Sequence, residues 1–215
     1  MKIRRIIIAY ITFLLLAGGS YAQDKRTIET KVADLLAQLP SNDSKYTDKL
    51  MGDMVALGET GIKMICSQII PAGKGDDTRA RFAVESLSRF LSQKGKETEK
   101  VSWEKVCIVY ATGQKDNGVK DFFMKQLQIV GGDATVAAMK AYLNDKEICY
   151  PALAAIQASG SKTAEAVLAE SLKNKDLPCA AAVMNTLAGM KSQLAVNEYI
   201  GFASDINVNT RSSAL

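Results

Sequence analysis

The first feature of this sequence that bears on chemistry is that its 215 residues include no histidine. Activation of a nucleophile by a Ser-His-Asp or Cys-His arrangement is therefore excluded, and so is a metal site with a histidine ligand. Acid–base catalysis would depend on carboxylate, lysine or tyrosine side chains. Because no nucleophile and base can be paired from the pattern, we expect a non-enzymatic chain with no catalytic, cofactor-binding or metal-binding residue.

Cysteine is the remaining residue type with strong chemical potential. Cys66, Cys107, Cys149 and Cys179 stand far apart along the chain, and without a CxxC pair a zinc or iron–sulfur site is not expected. An even number of cysteines in an exported chain permits disulfides. Each cysteine, however, stands in an apolar helical stretch, where a free thiol behaves as a small buried hydrophobe. We prefer core packing, and disulfide pairing stays open.

Two adjacent carboxylates, Asp76 and Asp77, are a candidate for a paired-carboxylate or metal-binding site. Acidic residues at a helix start also cap free N–H groups and interact favourably with the helix dipole, and we predict that function for both. Residues 73–78 (GKGDDT) resemble a phosphate-binding loop in composition but lack the GxxxxGK[ST] spacing and a preceding strand. We predict a flexible turn there.

Two larger groups of side chains could form a binding surface. The first group is aromatic and consists of Trp103, Tyr110, Phe122 and Phe123. These rings could provide a ligand platform, but their placement in predicted helices favours core packing. Lysines alternate with glutamates in a way typical of a solvated helix face rather than a basic patch. These charged residues are Lys94, Lys96, Lys100 and Lys105, among Glu97, Glu99 and Glu104.

The N-terminal segment 1–22 has the order of a secretory signal peptide. Lys2, Arg4 and Arg5 precede a predominantly apolar run, 6–17, and a short segment ending in small residues at Ala22. A membrane-spanning helix needs about 20 apolar residues, so this run is too short for a permanent anchor. We expect cleavage after Ala22, no stable membrane anchor afterwards, and a periplasmic or extracellular location.

The net charge gives no reason to expect a nucleic-acid partner. The whole chain has 27 basic and 23 acidic side chains, and the three charges in segment 1–22 are all basic, so the mature chain is nearly neutral. Nucleic-acid binding depends on neutralisation of phosphates by a basic surface. We therefore expect a protein or glycan partner and no nucleic acid.

Beyond the signal peptide, apolar residues recur at three- and four-residue spacing, which is typical of amphipathic helices. Four prolines stand where helix ends are expected, at positions 40, 71, 151 and 178. No segment has the alternating pattern of a β-strand. The sequence therefore predicts an all-α protein.

The C-terminal half contains a helical repeat, with units of about 30 residues that each form a helical hairpin. Equivalent positions recur at a constant interval, as in Leu143 and Leu172, Ile148 and Leu177, and Gly160 and Gly189. Repeated helical hairpins of this length are the signature of an α-solenoid. The positions we expect in its core are Leu127, Leu143, Ile148, Leu153, Leu172, Leu177 and Leu187.

The second helix of each repeat has matching end signals. Pro151 and Pro178 fit the first turn of their helices, where a missing N–H costs little. Gly160 and Gly189 fit the positions of C-terminal caps. We therefore predict helices from Ile148 and Leu177 to just before these glycines.

The segment from Asp76 to Leu87, in which an acidic turn precedes Arg81 and an alanine-containing run, resembles the second helix of a HEAT repeat. Arg211 to Leu215 resemble the start of the same helix, and residues 121–156 are similar to HEAT-like regions of exported Bacteroidetes-type proteins. In some of these proteins the array precedes a jelly-roll domain related to 3-keto-disaccharide hydrolases. The resemblance covers about residues 28–215 and implies a HEAT-like or armadillo-type superhelix.

The expected organisation is a signal peptide in residues 1–22, N-terminal capping helices in 23–58 and HEAT-like repeats in 59–215. The repeats would form five or six antiparallel helix pairs in one right-handed α-solenoid. Leu215 stands one or two turns into an expected helix, and terminal repeats normally have a polar outer face. We therefore expect the chain to be truncated at its C-terminus, with its last hairpin least protected from amide exchange.

Two functions follow as hypotheses. The chain is a non-enzymatic scaffold or interaction module of an exported bacterial protein, binding a protein or a glycan. Alternatively, it is the non-catalytic N-terminal segment of a larger carbohydrate-processing hydrolase, as the resemblance to the jelly-roll proteins implies.

Overall fold

The computed structural model describes residues 26–194, 196–203 and 212–214, so the predicted signal peptide lies outside the described residues. Within these ranges all regular secondary structure is helical and no β-strand occurs. The predicted all-α class is confirmed.

The helices are short and closely spaced along the chain. Those before residue 131 are α1 (Ile28–Ala37), α2 (Ser44–Ala56), α3 (Gly58–Cys66), α4 (Thr78–Leu91), α5 (Glu97–Gly113) and α6 (Asn117–Val130). Those that follow are α7 (Asp133–Met139) with a 3-10 turn (Lys140–Asn144), α8 (Cys149–Ala158), α9 (Ala164–Ser171), α10 (Ala180–Gly189) and α11 (Val196–Phe202).

Side-chain caps explain several of the helix starts. The Thr27 hydroxyl accepts a hydrogen bond from the Thr30 N–H at the start of α1, at 3.3 Å. The Asp43 carboxylate accepts from the Lys45 N–H at 2.9 Å before α2, and Asp116 caps α6 in the same way. These bonds satisfy N–H groups that have no partner within the helix.

The ends of α8 and α10 differ from the predicted pattern. Gly160 follows α8 with a left-handed φ of 61°, as expected of a glycine cap. After α10, however, the left-handed residue is Lys191 (φ 56°), and the Lys191 and Ser192 N–H groups bond back to the Ala188 and Leu187 carbonyls. The prediction of a cap at Gly189 is therefore wrong by two residues, because α10 continues through Gly189. Pro178 precedes α10 rather than lying in its first turn.

One hydrophobic core runs through the described helices, from Val32 in α1 to Phe202 in α11. All seven leucine and isoleucine positions predicted for the core are buried; they are Leu127, Leu143, Ile148, Leu153, Leu172, Leu177 and Leu187. The helical period in the sequence therefore identified the buried faces correctly.

Contacts between helices follow a regular order. The even-numbered helices contact one another in succession, α2 with α4, α4 with α6, α6 with α8 and α8 with α10. Among the odd-numbered helices α1 contacts α3, α5 contacts α7 and α7 contacts α9. Chain neighbours also pack together, as in α1 with α2, α5 with α6 and α9 with α10. Most helices in these series thus pack on a chain neighbour and on the next helix but one.

Hydrogen bonds also connect residues that are 30 positions apart in the chain. The Asn174 amide donates to the Asn144 side-chain oxygen at 2.7 Å, and the Tyr142 hydroxyl donates to the Thr112 carbonyl at 3.3 Å. A third bond of the same separation joins Asn117 to Glu147. This spacing therefore extends N-terminally to Thr112, further than the repeat recognised in the sequence, which begins at Gly132.

Candidate interaction surface

Glu104 differs from the charged residues around it on α5. Lys94, Lys105, Glu97 and Glu99 are exposed as predicted, but Glu104 is only 6% exposed. Its Oε1 atom accepts hydrogen bonds from the Gly132 N–H (2.7 Å), the Thr135 N–H (2.9 Å) and the Thr135 hydroxyl (2.7 Å). The prediction of a solvated Glu104 is wrong, because its carboxylate caps α7 from the adjacent helix α5.

The two adjacent carboxylates before α4 have different partners. Asp76 Oδ1 accepts from the Thr78 N–H at 3.0 Å, which is the predicted capping interaction. Asp77 instead accepts from the Ile70 N–H (2.9 Å) and from Arg81 Nε (2.8 Å), and a second Arg81 nitrogen donates to the Ile70 carbonyl (2.9 Å). Asp77 and Arg81 therefore close the loop that precedes α4, and the predicted capping by Asp77 is wrong.

The Arg81 guanidinium also joins α4 to α6, because its carbon lies 4.7 Å from the centroid of the Phe122 ring. Residues 73–78 lie in the loop that Asp77 and Arg81 close, with left-handed φ angles of 77° at Gly73 and 151° at Gly75. The glycine-rich segment thus forms a turn, as predicted.

The ionisation of Asp77 is coupled to this loop. Burial by itself raises the pKa of Asp77, but the hydrogen bonds from Arg81 and Ile70 and the positive charge of Arg81 together outweigh it. The net pKa of Asp77 in the folded protein lies below its usual value. The interaction therefore stabilises the fold above the unfolded pKa of about 4, and the stabilisation is lost as the pH falls through the lower folded pKa.

We expect Asp77→Asn to lower the free energy of unfolding at pH 7 by about 1–2 kcal/mol, because the charge-assisted bond to Arg81 is lost. The difference from the wild type should be constant down to about pH 5 and shrink below about pH 4. Urea unfolding across this pH range measures it. Asp121→Asn is the matched control, since Asp121 forms an ion pair with Lys125 on the surface of α6 and should cost less than about 0.5 kcal/mol. Equal costs at both sites would contradict the prediction.

The aromatic residues pack in the core as predicted. Trp103, Phe122 and Phe123 are buried, and Tyr110 is half-buried with its ring stacked 4.9 Å from that of Phe123. The Trp103 indole N–H donates to the Ser88 hydroxyl at 2.9 Å, and the Tyr110 hydroxyl donates to the Lys63 carbonyl at 2.9 Å. These rings connect α3, α4, α5 and α6 and do not form an exposed platform.

All four cysteines are buried free thiols, which agrees with the preferred interpretation of the sequence. Burial raises the pKa of Cys66 to about 12. A thiol is a nucleophile only as the thiolate. Cys66 therefore has no thiolate available near neutral pH, and it acts as a packing residue of the core.

A groove of about 540 Å³ lies beside α5, where α2 meets α3. Its apolar lining comes from Val55, Ile62, Leu91, Trp103, Val106 and Val109. Val109 is 56% exposed in this lining. We name this feature the α3–α5 groove. The residue spacing in the sequence could not predict it, because its walls come from distant parts of the chain.

Charged side chains of both signs surround the groove. Glu59 and Lys63 of α3 form an ion pair at 2.6 Å, and the hydrogen bond and charge of Lys63 lower the pKa of Glu59. Glu99 and Lys105 line the groove from α5. The groove therefore combines an apolar floor with a rim of no net charge, which is the usual composition of a protein-binding surface.

The described residues contain no group of three or more cysteine or acidic side chains placed to hold a metal ion. None of the helices in the described ranges is long and apolar enough to cross a membrane. Comparisons with protein-family models, with curated proteins and with solved structures found no match for the chain.

Proposed function

We propose that the chain is a non-enzymatic, HEAT-like scaffold of an exported bacterial protein that binds a protein partner in the α3–α5 groove. Its helices would form antiparallel pairs in a right-handed α-solenoid. The observation that carries the functional proposal is the groove itself, with the solvent-accessible Val109 side chain in an apolar lining.

The contacts between helices support the solenoid. In a stacked array each helix packs against its hairpin partner and against the equivalent helix of the next unit. Helices α2, α4, α6, α8 and α10 have that relation in succession. The hydrogen bonds from Asn174 to Asn144 and from Tyr142 to Thr112 each join residues that are 30 positions apart, which is about the length of one predicted repeat.

The composition of the groove favours a protein over a glycan. Trp103 is the aromatic residue of its lining, but the ring is buried and its N–H is bonded to Ser88, so it offers no open face to a sugar. Val55, Ile62, Val106 and Val109 instead provide aliphatic surface. An apolar groove of this kind accepts the hydrophobic face of an amphipathic helix or an extended apolar peptide segment.

Two substitutions on α5 test the proposal. Val109 lines the groove and Val101 does not, although both lie on the same helix and are 56% and 51% exposed. A photo-crosslinking amino acid at position 109 in the native host should capture a partner that the same group at position 101 does not. With that partner purified, Val109→Glu should weaken binding about tenfold or more, because it buries a charge in the groove, and Val101→Glu less than about twofold.

Either of two results would refute the proposal. One is an equal effect of the two glutamates on affinity, with circular dichroism showing both variants folded. The other is a set of crosslinked proteins that does not depend on the position of the crosslinker. A partner unaffected by Val109→Glu would instead favour the alternative hypothesis, in which the array tethers a carbohydrate-processing domain.

A further inference from the structure

A hydrogen bond between two turns places two cysteines at matching positions. The amide of Asn174 bonds to Asn144 at 2.7 Å, and these residues stand in the turns before α10 and α8. Cys149 and Cys179 occupy the same place in the chain relative to these two asparagines. Because the asparagine bond aligns the two turns, the two cysteines lie side by side where α8 and α10 begin.

The surroundings of the two thiols agree with this alignment. Cys149 is the first residue of α8, Cys179 immediately precedes α10, and the two helices contact each other. Both side chains are buried, and the Cys179 thiol lies 3.8 Å from the Leu143 carbonyl oxygen. Burial raises the pKa of Cys179 well above its usual range, and a hydrogen bond with the Cys149 thiol raises it further. The two cysteine side chains are therefore neighbours in the core between α8 and α10.

We propose that Cys149 and Cys179 are a site of oxidative modification, forming a disulfide that links two successive repeats. The proposal relies on the exported location given under the proposed function for an oxidising environment, where disulfides persist. It does not depend on the α3–α5 groove or on the nature of the partner. The bond would close a loop of about 30 residues that contains α8 and α9, and it would stabilise the C-terminal repeats.

The oxidant is a small disulfide or a disulfide carried by an exported oxidoreductase. One cysteine thiolate attacks a sulfur of the oxidant, whose S–S bond breaks and releases one thiol, leaving a mixed disulfide on the protein. The second cysteine thiolate attacks the protein sulfur of this intermediate, so that the Cys149–Cys179 bond forms and a second thiol leaves. The two cysteines lose two protons and two electrons, and the oxidant is reduced to two thiols.

The raised pKa of Cys179 determines when this reaction proceeds. In the closed fold the Cys179 thiolate is rare near neutral pH, and burial shields both sulfur atoms from an oxidant. Oxidation should therefore be fast during folding and slow in the folded, reduced protein. Cys66 and Cys107 are also near each other, since the Cys66 thiol contributes to raising the pKa of Cys107, but Cys66 ends α3 whereas Cys107 lies in the middle of α5. We expect them to remain thiols.

The test is refolding of the denatured, reduced full chain with oxidised and reduced glutathione, followed by alkylation of free thiols and tryptic digestion. Cleavage after the flanking lysines yields peptides 147–162 and 176–191, which carry Cys149 and Cys179. We expect these two peptides to be linked, Cys66 and Cys107 to be alkylated, and the oxidised protein to melt about 5–10 °C higher than the reduced protein.

Matched variants make the assignment specific. Cys66→Ala with Cys107→Ala should retain the bond, whereas Cys149→Ala should leave Cys179 alkylated. Four alkylated cysteines in the refolded wild type, a Cys66–Cys107 linkage, or a mixture of pairings would overturn the proposal. So would a correctly linked protein whose melting temperature does not rise, since the bond would then not stabilise the C-terminal repeats as proposed. The peptide linkage and the melting temperature of the refolded wild type test the proposal even if a variant fails to fold.

Discussion

Replacing Glu104 with alanine is expected to lower the free energy of unfolding by about 2–4 kcal/mol, although the sequence around it is that of a solvated helix. The Gly132 N–H, the Thr135 N–H and the Thr135 hydroxyl lose their common acceptor, Glu104 Oε1. Buried donors without a partner are costly, and the cap of α7 disappears with them. Denaturant unfolding measures the loss, and amide exchange should rise first at the start of α7.

Two substitutions on α5 serve as controls for this prediction. Glu104→Gln keeps an oxygen acceptor but removes the negative charge at the α7 N-terminus, so it should cost about 1 kcal/mol. Glu99→Ala removes an exposed glutamate from the same helix and should change stability by less than about 0.5 kcal/mol. A Glu104→Ala variant as stable as Glu99→Ala would show that the carboxylate does not hold α7.

The second large effect is expected from two core leucines that the sequence pattern predicts to be equivalent, Leu143 and Leu172. Leu143 and Leu172 are both completely buried. Truncation of either to alanine should lower the free energy of unfolding by about 2–5 kcal/mol, through lost transfer free energy and the cavity left behind. Urea unfolding of the single variants measures this, and similar costs at both positions are expected because both side chains are completely buried.

Leu194 provides the matched control for the leucine substitutions. It is 59% exposed, so Leu194→Ala should cost less than about 0.5 kcal/mol. A cost below about 1 kcal/mol at Leu143 or Leu172 would contradict the assignment of that residue to the core. If Leu194→Ala lowered the free energy of unfolding as much as Leu143→Ala or Leu172→Ala, the Leu194 side chain would have to be covered in solution.

The sequence predicted the parts of the fold that depend on local interactions. Three- and four-residue spacing of apolar residues identified the helices and their buried faces, including those of Leu127 and Leu187. The glycine cap at Gly160 also follows from local chemistry, since glycine adopts a left-handed φ without strain. The helix after Pro178 shows the limit of such signals, because α10 continues through Gly189 and closes at Lys191.

The candidate site could not be predicted in the same way. The α3–α5 groove is lined by residues from Val55 to Val109, which the packing of α2, α3 and α5 brings together. No periodicity within one helix encodes the distance between two helices that do not follow each other. The sequence did identify Trp103 as a core residue, but not that Val109 on the same helix would remain accessible in the groove.

The amino-acid sequence by itself determined the all-helical class, the buried face of the helices and the burial of the four cysteines, because each depends on residue type and spacing along the chain. The tertiary structure alone decided which charged residues would have partners outside their own helix. Glu104 is buried because α7 presents unpaired N–H groups to it, and Asp77, which pairs with Arg81 four residues on, also accepts from Ile70 because the loop before α4 folds back on it. A charged side chain is stable in either setting, in water or against matched donors, so its type alone does not determine its environment.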